Sequence, residues 1–308
     1  MKAIDYLVNC TSRSDRFELF PIGDPHIGKR NCAEKALSKQ VNEILRRAKM
    51  PHRQVAVIFG GDIVNAIDIT DIRRFNIDDL ADWFVACDGE TTRERLGDMV
   101  NQEVNRAVEI FKPLAPYTIG AIYGNHEKEL KKRHSIDAHR EFCRRMDIND
   151  LTNEACIRLR FRRKMHSSNK GPTSTVNLYI RHGYGSGRTA GAEPNKLARM
   201  QAEWEWADIC FSGHTHTFQI MPPKPVLYLP NKGKLPPQLL QRYRFAANWG
   251  CWLFSHLTGP GNYESDKCYA AKPMMTIKAV IWPFWSTRTT NNYQINMPKI
   301  EIRQYPIL

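Results

Sequence analysis

The chain has 308 residues, of which 42% are apolar and 25% charged, and a formal net charge of +13. That length suffices for one large domain or two modest ones, and the composition is too apolar for a disordered chain. No run approaches the roughly 18 to 20 consecutive apolar residues of a membrane span, residues 1–13 lack the features of a secretory signal, and the eight cysteines include no Cys-x-x-Cys pair. A cytoplasmic protein with reduced thiols is therefore expected.

Short apolar runs closed by Gly or Asp read as buried strands. In chain order they fall at 17–22, 54–59, 117–123, 176–181 and 207–211. Between them, residues 33–49, 77–86, 93–111, 134–146 and 194–206 read as helices. The segment 65–92 is acidic and irregular, and belongs to a helical insertion near 65–115. Residues 221–237 are rich in Pro, Lys and Gly, which reads as an exposed loop. The segments 245–254 and 274–284 are strand-like again and could build a second sheet, with 218–308 as its basic extension. The expected organisation is one domain over residues 1–308.

Each of the five strands runs directly into a polar cluster: Gly-Asp-Pro-His, Gly-Gly-Asp, Gly-Asn-His-Glu, His-Gly-Tyr-Gly and Ser-Gly-His-Thr-His. Ligands of open α/β sheets gather outside the carboxyl ends of the strands, so the clusters are expected to converge in space. They supply Asp24 and His26, Asp62, Asn125 and His126, His182, and His214 and His216. Turn chemistry explains Gly, Asn and Asp, but not five histidines. Oxygen and imidazole donors without thiolate suit Mn, Fe, Co, Ni or Zn, whereas an all-oxygen site suits Mg or Ca.

This set, in chain order over residues 17–217, resembles the calcineurin-like metallophosphoesterases. The resemblance implies an α/β fold of two mixed β-sheets in a sandwich flanked by helices. It also implies two divalent metal ions, with Mn the first expectation. Asp24, His26 and His216 would hold one ion, and Asn125, His182 and His214 the other, with Asp62 bridging. His214 and His216 can serve different ions only if the backbone between them bends, which Gly213 permits. Two ions about 3.5 to 4 Å apart can generate a nucleophile at neutral pH and clamp a phosphate group. His126 is not a ligand by resemblance and would protonate the leaving oxygen or stabilise developing charge. No Asp partner that would orient it can be identified in the sequence.

The substrate is less directly written. Residues 1–127 carry a net charge of −2, 128–170 of +7, 171–217 of 0 and 218–308 of +8. A basic excess favours polyanions. The leading expectation is a phosphodiesterase, nuclease-like, acting on DNA or RNA. The competing ones are a phosphomonoesterase acting on a nucleotide or phosphoprotein, and a metal-binding scaffold without catalysis. Arg158, Arg160, Arg162, Arg163 and Lys164 are either phosphate contacts or a solvated face. The glycine-rich run 181–188 lacks Walker spacing, and Arg188 is a candidate substrate contact. The aromatic group Trp249, Trp252, Phe254, Trp282, Phe284 and Trp285 reads as core packing or as a base-stacking platform. His52, His134, His139, His166 and His256 belong to no motif and read as surface or satisfied core histidines.

Overall fold

The computed structural model describes residues 1–67, 69–71, 74–85, 97–163, 171–185, 189, 191–229, 239–255, 274–290 and 293–306. Arg188, Lys164, His166 and His256 lie outside them. Two mixed sheets face each other. The first runs β12 (Tyr293–Pro306), β11 (Met275–Thr290), β2 (Arg16–Ile22), β3 (Arg53–Phe59), β4 (Thr118–Ala121), with β2, β3 and β4 parallel. The second runs β1 (Lys2–Cys10), β5 (Glu154–Arg163), β6 (Thr173–Arg181), β7 (Ile209–Ser212), β10 (Leu240–Trp249), β8 (Phe218–Ile220), with β9 (Lys224–Tyr228) also on β10.

The strand period of two explains how the layers close. On β2 and β3, Phe17, Leu19, Ala56 and Ile58 point into the core between the sheets, where they meet Ile157, Leu159 and Phe161 of β5. The alternate residues Phe20, Ile22, Val55, Val57 and Phe59 point outward. Helices α1 (Glu34–Ala48), α3 (Met99–Phe111) and α5 (Ala138–Met146) cover them with Leu37, Val41, Val104, Phe111 and Phe142. Strands buried on both faces read as continuous apolar runs, which is why these two were legible. On the far side, α6 (Ala192–Glu203) lays Leu197 and Met200 over Tyr179 and Cys210.

Several expected boundaries shift. The 77–86 helix is a 3₁₀ turn at Ile77–Asp79 followed by the short α2 (Asp82–Val85), and residues 125–134 form a further helix, α4 (Asn125–His134), before α5 begins. Ser135 adopts a left-handed conformation between the two helices. The 245–254 strand stops at Trp249, because Gly250 turns the chain with φ +81°. It also joins β7 rather than the 274–284 strand, so the two segments strengthen different sheets. The expected loop at 221–237 contains β9. Edge strands β1 and β12 were missed because they alternate polar and apolar residues. No helix among the described residues is long and apolar enough to cross a membrane.

Arg158 and Arg160 stand on the exposed face of β5, each paired with Asp5 of β1. Arg158 pairs in register with Asn177, five residues before His182, and Arg162 with Thr173, nine before it. At about 3.3 Å per residue this row recedes from roughly 16 to 30 Å from the motif end of β6. The 158–163 arginines therefore do not line the cluster.

Candidate metal centre

The carboxyl ends of β2, β3, β4, β6 and β7 meet at one edge of the sandwich, and the five motif loops converge there. Asp24, His26, Asp62 and His182 are buried, and Asn125, His126, His214 and His216 half-buried or nearly so. Three overlapping groups have one ligand atom per residue within 4.8 Å of the others: Asp24, His26 and His216; His26, Asp62 and His126; and Asp62, His182 and His214. The first contains the three residues expected around one ion, and the third sets Asp62 beside His182 and His214. The second adds His126, placed by resemblance outside the ligand set.

The donors face one another. His26 Nε2 and His216 Nε2 lie 3.0 Å apart. Asp24 Oδ1 is buried without a hydrogen-bond partner, 3.4 Å from His216 Nε2 and 3.9 Å from both His26 Nε2 and His182 Nε2. Asn125 Oδ1 is 3.1 Å from His182 Nε2 and 2.6 Å from His214 Nδ1. Buried lone pairs gathered on a common centre are costly unless a cation satisfies them. The donor set therefore fits divalent metal binding.

The backbone is bent for this purpose. Asp24, His26, Asp62, His214 and His216 all have left-handed φ, between 47° and 71°. Such residues cost on the order of 1 to 3 kcal/mol each and persist where the surroundings over-determine them. The left-handed turns at His214 and His216 supply the bend that lets the two rings reach different groups.

Charge is coupled across the centre. Burial would lower His182, but the carboxylates of Asp62 and Asp24 outweigh it and push it up to about 10. Burial would raise Asp62, yet His182, His126 and His26 hold it well below the carboxylate range. Burial and then the neighbouring His182 bring His214 down to about 4, while burial and His126 hold His26 well below its usual value.

Supporting groups fix the donors, and the sequence did not announce them. His182 Nδ1 donates to the Gly60 carbonyl at 2.8 Å, which turns Nε2 toward Asp62. His126 Nδ1 donates to the Asn65 carbonyl at 2.5 Å, so a backbone group takes the orienting role for which no Asp was found. That loop is held by Glu103 of α3, whose carboxyl accepts from Ala66 N at 2.8 Å. Glu127 accepts from the backbone N–H of Asp62, Ile63, Val64 and Gly124, tying the second and third motif loops together. Trp249 Nε1 donates to Asp24 Oδ2 at 2.7 Å. Glu127 is the fourth residue of its motif and could have been suspected; nothing adjacent marks Trp249 or Glu103.

Of the aromatic group, Trp249, Trp252 and Phe284 are core, while Phe254 and Trp285 are exposed. Of the unassigned histidines, His139 is buried against Asp150, and His52 pairs with Asp15.

No family model matches the chain, and no curated protein matches it. Among solved structures it is similar to a conserved uncharacterised protein of Streptococcus pneumoniae described as a predicted phosphoesterase, at 12% identity over 86% of this chain and 83% of that one, with TM-score 0.28. It is also similar to Vps29 of Entamoeba histolytica. A double mutant gives 11% identity, and the wild type complexed with Zn²⁺ gives 12%; each covers 94% of this chain and 99% of that one, with TM-score 0.35. Two mixed sheets flanked by helices, with the motif residues gathered at one edge, are the architecture that the motif resemblance implies.

Proposed function

We propose that residues 1–308 form one catalytic domain, a dinuclear metal-dependent phosphoesterase. The observation that supports this reading is the convergence of Asp24, His26, Asp62, Asn125, His182, His214 and His216 on a common centre, with facing lone pairs and an orphaned carboxylate oxygen. Asp24, His26 and His216 are assigned to one ion, Asn125, His182 and His214 to the other, and Asp62 to both, Mn being the preferred metal. Bound divalent ions would supply Lewis-acid stabilisation of the charge that develops on a phosphoryl group. The chain's own groups do the rest. The carboxylates and imidazoles hold the centre together, and the buried walls limit water. His126, with Nδ1–H tied to the Asn65 carbonyl, carries a proton on Nε2 only as the imidazolium. In that form it would protonate the leaving oxygen, and burial, which draws its pKa below the ordinary value, makes that proton easier to give up.

The substrate class in this reading is a phosphodiester of nucleic acid, supported by the net charge of +13. Arg188 is retained as a substrate contact on sequence grounds. A monoester substrate is the alternative. Elemental analysis of the purified chain, with turnover of a generic aryl phosphodiester and monoester in added Mn²⁺, tests the reading. Two ions per chain and faster diester turnover are expected. Two ions without turnover would leave a metal-binding scaffold, and no metal would remove the site assignment altogether.

A further inference from the structure

A cluster of cationic and aromatic side chains lies at the opposite end of the sheet that carries Asp24 and Asp62. Arg16 opens β2 and pairs in register with Arg53 of β3. On the other side, Trp282 follows Ile281, whose partner is Phe17, so it stands in the row of Arg16, and its own partner across β12 is Lys299. Phe17, Ile281 and Ile300 alternate with these residues and pack into the inter-sheet core. The row Lys299, Trp282, Arg16, Arg53 therefore shares the outer face and crosses four strands, about 14 Å at the usual strand spacing. Eight residues separate Arg16 from Asp24, which puts the row more than about 20 Å from the candidate metal centre.

Positive charge accumulates here beyond what its partners neutralise. The single buried carboxylate of Glu18 receives Arg47 at 3.0 Å, Lys278 at 3.2 Å, Arg16 at 3.6 Å and Arg53 at 3.7 Å. Glu43 pairs with Arg46 and Arg47, and Glu301 with Lys299 and Arg303. The network thus sets seven cations on three carboxylates. Burial, and then the nearby charges of Arg16 and Arg47, draw the Arg53 guanidinium below its usual value.

The aromatic component is exposed beside it. Trp285 is 60% accessible, and Trp282 lies 6.1 Å from it between ring centroids. Lys299 Nζ sits 4.5 Å from the Trp285 ring centroid and 5.1 Å from that of Trp282, with the Arg303 guanidinium 5.5 Å from the latter. Cations beside one exposed indole, Trp285, and a half-buried one, Trp282, on a rigid sheet are the components of single-strand recognition, since an exposed ring can stack only on an unpaired base.

We infer that this face is a binding surface for single-stranded nucleic acid, separate from the metal centre. Arg16, Arg53 and Lys299 contact backbone phosphates, and Trp282 and Trp285 stack bases. It does not depend on the catalytic reading.

The test is fluorescence anisotropy of the full chain with a labelled oligothymidylate of about 15 nucleotides, in EDTA so that binding through metal is absent. Wild type should bind with an affinity that falls as salt rises. Arg16→Ser with Arg53→Ser should weaken binding and flatten the logarithmic salt slope by about 1.4, at about 0.7 per phosphate contact on a single strand. Trp285→Ala, at an exposed position, should weaken it by roughly 5-fold or more. Circular dichroism shows whether each variant is folded. Unchanged affinity in both variants overturns the proposal. So does equal binding of duplex with no effect of Trp285→Ala, or preferential capture by anionic phospholipid vesicles.

Discussion

Trp249 Nε1 donates a 2.7 Å hydrogen bond to Asp24 Oδ2, and the same indole lies where a Cβ on Gly23, Gly60 or Gly213 would have to go. Those glycines precede Asp24, Asp62 and His214 in three separate motifs. One ring from β10 therefore sets the spacing of three loops and orients a carboxylate.

Trp249→Phe keeps most of the packing and removes the donor. Outer partners of ligating groups commonly contribute 10- to 100-fold to metal affinity, so about that loss is expected, with the folded structure retained. Competition with a fluorescent chelator measures it. Gly213→Ala should be worse for folding than Trp249→Phe, because its methyl overlaps the indole; equal thermal midpoints would contradict this.

Glu127 accepts four backbone N–H groups and is 1% exposed. Burial and the Asp62 charge push its pKa upward, but a cage made only of donors is matched by the carboxylate and not by an O–H. Glu127→Gln would set an amide N–H₂ against two of those donors. A loss of roughly 2 to 4 kcal/mol in urea unfolding is expected, at about 1 to 3 kcal/mol for each buried group left unsatisfied.

His126→Ala separates the two roles that the geometry allows. As a proton donor, its loss should lower turnover by roughly 10²- to 10⁴-fold while the metal content stays. The defect should be smaller with a nitrophenolate leaving group. Loss of an ion in elemental analysis would instead make His126 a ligand with His26 and Asp62.

Asp62→Ala should lower the metal content more than Ala at any other single assigned ligand, because a shared carboxylate offsets charge on both ions. Elemental analysis checks the order. Full loading in this variant would defeat the bridging assignment.

Asp150 provides a pH signature away from the ligands. A hydrogen bond from His139 outweighs burial and holds its carboxyl down at about 2, against an ordinary 3.8. The His139 ring stacks on Tyr123, which leads into the Gly124–Asn125 turn. A depressed carboxyl stabilises the fold above its unfolded pKa, and the contribution is lost as pH falls from about 4 through about 2. Allowing for partial solvent exposure, Asp150→Asn should cost about 1 to 2 kcal/mol at neutral pH and little at pH 2. Urea unfolding across that range tests the convergence.

What the sequence alone determined was local. Strands buried on both faces, such as 54–59, show as apolar runs, and a ligand loop shows where such a run ends in Gly, Asp, Asn or His. Those signals located Asp24, His26, Asp62, Asn125, His126, His182, His214 and His216 before any fold was known. Edge strands were hidden because half of each faces solvent, and Trp249 was hidden because its role depends on contacts with residues 225, 189 and 36 positions away. Glu103 likewise acts on Ala66 across 37 residues. Charge placement was the least legible property. The 158–163 arginines looked like a substrate path, but strand register carries them away from the centre, while Arg16, Arg53, Trp282 and Lys299, scattered through the chain, become one row. Sequence spacing specifies which face a side chain takes along its own strand; only pairing between strands decides which neighbours it meets.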